Sequence, residues 1–167
     1  LGFFSTFNSD AIKDVSVMKG VFPAQYGGRL SSVVDITMRE GNNKKTEVNA
    51  GVGLLASRFT IEGPIFKNKL SYLISGRYSY SGSTYNFLGG TIGRDLLHEW
   101  SLRNFNDKNK IWFYDFNTKF NFIINQRNHI YFSYYSGHDS FYSYMISNQN
   151  ILDWGNFTST IRWNHIF

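Results

Sequence analysis

Cysteine is absent from this 167-residue chain, and with it any disulfide framework or thiolate metal site; an oxidising compartment is neither indicated nor excluded. Ala, Glu and Gln number only 4, 4 and 3, against 31 aromatic, 18 Ser and 17 Asn residues, which argues against a helical protein. No apolar run approaches the roughly 18 residues that a membrane-spanning helix needs. Leu, Ile, Val and Phe nevertheless total 48, above the level of a disordered chain. A concentrated basic stripe is also lacking: 17 Lys and Arg stand against 12 Asp and Glu, but they are scattered singly apart from Lys44-Lys45. No nucleic-acid partner is expected from such a distribution.

What is present is texture of two kinds. Residues 1 to 44 carry short apolar runs and clustered glycines, whereas residues 45 to 167 alternate polar and aromatic side chains with the period of a β-strand. A boundary at Gly41-Asn42-Asn43-Lys44-Lys45 separates them. From Lys69 to Tyr80, Leu70, Tyr72, Ile74, Tyr78 and Tyr80 share one face. From Ile111 to Ile124 the even positions are aromatic or aliphatic and the odd ones include Asp115, Asn117, Lys119 and Asn121. His129 to Asp139 repeats the pattern through Ile130, Phe132 and Tyr134, and the last segment does so through Phe157, Ile161, Trp163 and Phe167.

Between Thr46 and Ile65 the apolar parity switches at Leu54-Leu55-Ala56, which predicts two short strands joined by a tight hairpin, or else one strand with a bulge. The hairpin reading gives six strands. Short turns are expected at 66 to 68 and 125 to 128. Long connections are expected from Ser81 to Lys110 and from Ser140 to Asn150. Past the first hairpin, short turns then lie at one end of the sheet and long loops at the other, as in outer-membrane barrels. A soluble sheet alternates as well. Strands of 11 to 14 residues, Trp and Tyr toward strand ends and the loop asymmetry favour lipid. Six strands cannot close a barrel in lipid, and the chain begins at Leu1 without a leader; both lead us to expect a fragment.

Residues 10 to 39 read DAIKDVSVMKGVFPAQYGGRLSSVVDITMR, with strands expected at Val15 to Met18 and Ser32 to Met38 around a tight, positive-φ glycine turn. This segment resembles the closing half of the plug domain of TonB-dependent outer-membrane receptors, in the form found in Bacteroidota. Val15-Ser16-Val17-Met18-Lys19-Gly20 matches the family's first strand, Tyr26-Gly27-Gly28-Arg29 its turn, and Val33-Val34-Asp35-Ile36-Thr37 the strand that enters the barrel. The plug motif is thus Gly20, Tyr26, Gly27, Gly28, Arg29 and Asp35. The chain departs from the pattern at Ser31-Ser32, and it lacks the alanine-rich forms of starch-utilisation transporters, so a surface lipoprotein is only an optional partner.

The resemblance implies an all-β chain with an α+β plug: 1–44 the end of the plug, and 45–167 the first six strands of a 22-stranded antiparallel transmembrane β-barrel. It implies an outer-membrane active transporter of a Gram-negative bacterium that binds a scarce solute outside and imports it with energy from TonB. TonB itself would act through a segment absent here. The rival is a plugged receptor-like barrel serving an interaction or secretion complex without transport. Outer-membrane lipid is the expected surrounding, and the solute is not specified.

No enzymatic motif is visible. His98, His129, His138 and His165 lack the spacing of metal ligands, so no metal or other cofactor is expected. The inward set Arg58, Glu62, Arg77, Asp115, Lys119 and Arg162 faces plug residues Arg29, Asp35, Arg39 and Glu40; plug-to-barrel charge contacts are expected at Arg29, Arg39, Glu62 and Arg77. Extracellular ligand contacts are expected from Tyr85, Phe87, Trp100, Phe141, Tyr142 and Tyr144.

Overall fold

The computed structural model describes residues 8–20, 23–28, 31–80, 110–145 and 148–167. Within them the chain is all-β, built from two antiparallel sheets. A turn of 3-10 helix at Ser9–Ala11 leads into β1 (Ile12–Lys19), which pairs with β2 (Ser32–Met38). The glycine turn between them behaves as expected at two positions, since Gly20 and Gly28 take φ of 86° and 77°. The second sheet has six strands in sequence order: β3 (Glu47–Val52), β4 (Ala56–Phe66), β5 (Leu70–Ser79), β6 (Lys110–Asn125), β7 (Asn128–Met145) and β8 (Asn148–His165).

The parity switch at residues 54 to 56 is a hairpin. Val48 pairs with Ile61 and Ala50 with Phe59, so the apolar residues of β3 and β4 fall on one face although they sit in opposite phase in the sequence. The short turns after Phe66 and after Asn125 form as expected. The expected loop from Ser140 to Asn150 does not. Alternation continues through Ser140 and Tyr142, β7 runs on to Met145, and Met145 pairs with Asn148 to start β8. Ser140 and Ser143, which looked like loop composition, lie instead on β7, and Asn148 and Asn150 on β8, each strand 18 residues long. The connection from 81 to 109 lies outside the described residues.

Cross-strand register places whole rows of like residues side by side. On one face, Tyr72, Phe120, Phe132 and Ile161 are consecutive partners, as are Leu70, Phe122, Ile130 and Trp163. On the other face, Thr60, Ser75, Asn117, Tyr135 and Thr158 form a single row across five strands. Across β4, β5 and β6 burial is inverted relative to a water-soluble sheet, while β8 is exposed on both faces. Ser71, Ser75, Ser79, Asp115, Asn117 and Lys119 are buried, whereas Phe116, Phe122, Ile124, Phe157 and Ile161 are exposed, the last two at 75% and 74%. No helix among the described residues is long and apolar enough to cross a membrane.

The segment joining the two sheets is fixed by its own chemistry. Gly41 takes φ of 82° with its Cα against the Tyr72 peptide, a place with no room for a side chain. Asn42 Oδ1 accepts from the backbone amides of Lys44 and Lys45, closing the turn that precedes β3.

Candidate functional site

The small sheet lies against the polar face of the long one, and the contact is made by charge and backbone groups. Arg39, one residue past β2, reaches Glu62 on β4 with its guanidinium. Glu62 is only 4% exposed, so its carboxylate has exchanged water for this partner. Arg58 Nε stands 3.3 Å from Asp10 Oδ2, tying β4 to the turn before β1. Lys119 Nζ donates to the Met38 carbonyl at 3.1 Å, and Ser71 Oγ to the Glu40 carbonyl at 3.1 Å. The last residues of β2 are therefore held from β4, β5 and β6 at once.

Of the expected charge contacts, the structure brings Arg39 and Glu62 together. Arg77 pairs with the neighbouring strand: its Nε and Nη2 both lie 2.6 Å from Asp115 Oδ2. The pair follows from register, because Arg77 and Asp115 are direct partners. Arg29 lies outside the described residues. In the motif itself, Tyr26 donates its hydroxyl to Asp35 Oδ2 at 2.6 Å and pins the turn onto β2. Donation to this carboxylate, with some desolvation, raises the phenol above its ordinary pKa.

Tyr85, Phe87 and Trp100, expected to meet a ligand, lie outside the described residues. Phe141 and Tyr142 are strand residues and not loop residues; Gln149 of β8 donates to the Tyr142 hydroxyl at 2.5 Å. Tyr144 is likewise in β7, and its side chain lies outside the described set. Sequence reading missed Asp10 as a tie and missed the uncharged row around Asn117. The odd phase of β6 signals the latter's face, but its neighbours emerge only from register.

The apolar face ends in polar-tipped rings. Near the 81–109 connection, Trp112 stacks on His138 at 5.0 Å between centroids, and His138 Nε2 is 3.3 Å from Asp153. Near the short turns, the Trp163 indole donates to Asn128 Oδ1 at 3.1 Å, and the His165 ring stands beside Trp163. Among the described residues no three His, Asp or Glu side chains converge as metal ligands would. No family model, curated protein or solved structure matches the chain.

Proposed function

We propose that the chain belongs to an outer-membrane active transporter, with residues 1–44 as the end of its plug and β3–β8 as the first strands of a 22-stranded barrel. The carrying observation is the inverted burial of β4, β5 and β6: their aromatic and aliphatic face is the more exposed, and their Ser, Asn, Asp and Lys face is covered. Water would penalise that arrangement, while hydrocarbon favours it.

The vertical extent of the apolar face supports the same reading. The Trp112 row and the Trp163 row are separated by ten residues along β6, from Trp112 to Phe122. At about 3.4 Å per residue and a tilt of about 40°, that is roughly 25 Å, the height of an apolar band between aromatic girdles. β4 to β8, with 11, 10, 16, 18 and 18 residues, are long enough to cross, whereas β3 with 6 is shorter than a full crossing. In lipid the outer edges of β3 and β8 must also be paired, so the proposal requires further strands.

In this proposal the long sheet is scaffold, and the β1–β2 unit is the element that rearranges when TonB draws on a segment upstream of it. The solute enters from the end that bears the 81–109 connection. The test is energised uptake: cells carrying the full-length protein accumulate its solute only with TonB and a proton-motive force. A correctly inserted protein with no energy-dependent uptake of any solute would favour the sealed interaction component instead.

A further inference from the structure

A cleft of about 250 Å³ opens between β2 and the covered face of β6, β7 and β8. Ile36 and Met38 form its apolar side, and Asn117, Ser133, Asn156 and Thr158 are among the groups opposite. Asn117 is 3% exposed, and its Nδ2, although buried, has no hydrogen-bond partner in the protein. A buried amide left in this state is unfavourable, so a group able to accept from it gains by entering.

The lining also states what that group belongs to. Lys119 is the one charged residue of its lining among the described residues, and its ammonium already donates to the Met38 carbonyl. No carboxylate lines the cleft among the described residues. Hydroxyls and amides that both donate and accept, set against Ile36, Met38 and Leu73 with Tyr134 and Tyr135 beside them, suit a molecule with hydroxyls on one side and a broad C–H face on the other. Its volume is below the range of drug-sized pockets, which limits the occupant to one small ring or a short polyol. Asn117 lies near the middle of β6, well away from both Lys110 and Asn125, so an occupant would sit at mid-height of the sheet.

We propose that this cleft binds a neutral, hydroxyl-rich solute of about monosaccharide size, with its C–H face on Ile36 and Met38 and its hydroxyls on Asn117, Ser133 and Thr158. This rests on the transporter reading, in which the covered face is the passage a solute follows. It names a chemical class and an inner station for it, apart from any contact in the outer connections.

Ligand-observed saturation-transfer NMR on the purified full-length protein in detergent tests it. Glucose, galactose and xylitol serve as neutral probes, with glucuronate and glucosamine as charged comparators. The expected result is saturation of at least one neutral probe at millimolar concentration, with the charged comparators weaker. Asn117→Leu and Thr158→Val should each reduce it about fivefold, the loss of one hydrogen bond. Asn156→Ala, at the exposed rim, provides a variant that leaves the buried row intact and should also weaken binding. Absence of binding by every neutral probe, equal binding of glucuronate, or unchanged binding in the variants overturns the proposal. Binding without energised uptake would keep the site and remove the transporter reading. Energised uptake of some solute without binding here would do the reverse.

Discussion

The two faces of the six-stranded sheet are made by the same backbone and differ by a shift of one residue, yet they answer to different surroundings. One carries Phe116, Phe122, Phe157 and Ile161 and is left open; the other carries Ser75, Asp115, Asn117 and Lys119 and is covered. Ordinary sheets cover the first kind and open the second. The contrast turns each face into a separate experiment.

The largest expected effect comes from placing a charge on the open face. Phe120→Arg should destabilise the protein in lipid vesicles by about 2–4 kcal/mol, measured by urea unfolding, because the guanidinium would sit in hydrocarbon. Thr158→Lys, on the opposite face of β8, should change stability by no more than about 0.5 kcal/mol. Equal effects of the two would remove the distinction between the faces.

Next comes the segment that connects the sheets. Gly41→Ala should cost about 2 kcal/mol, since alanine resists the positive φ and its Cβ would meet the Tyr72 peptide. Loss of stability with unchanged outer-face accessibility would confirm that the damage is confined to the connection. Arg39→Gln should cost about 1–2 kcal/mol: it strands the buried Glu62 carboxylate, while the Arg39 side chain is itself 42% exposed and so screened. Adding Glu62→Gln should recover part of that loss, and hydrogen exchange across residues 39 to 46 would report it.

The smallest effect is a matter of pH. The Tyr26 phenol holds its proton more tightly when folded than when unfolded, because it donates to Asp35. Its contribution to stability is therefore complete below the unfolded tyrosine value of about 10 and is lost as pH rises through the higher folded value. Ultraviolet titration should show one tyrosine ionising late, and Tyr26→Phe should remove that component. A Tyr26 that titrates with the exposed tyrosines would show that the turn is not pinned to β2 in solution.

Much of this was legible before any coordinates, for a physical reason. Period-two alternation records the surroundings of each strand face directly, so Ile111 to Ile124 and Ser32 to Met38 read as strands within a residue of their observed ends. The hairpin at 54 to 56 was legible because a parity change has few structural solutions. The strand from Asn128 to Met145 was cut short in the reading because serine and asparagine serve equally as loop residues and as the polar phase of a strand. The Arg77–Asp115 pair was not legible for a different reason: alternation gives the side Arg77 faces, but its direct neighbour depends on how two strands separated by a long connection align. The cleft beside Asn117 needed three such alignments together with the position of β2.

The pairing of Ile12 with Met38 has a mechanical consequence. β2 is clamped at its far end by the contacts of Arg39, Glu40 and Met38, and β1 begins right beside that clamp. Tension arriving from upstream of Ile12 would load the rungs of this ladder one at a time, as in opening a zip, whereas force along the strands would have to shear all of them together. Such a geometry yields to a small force and closes again when it is released.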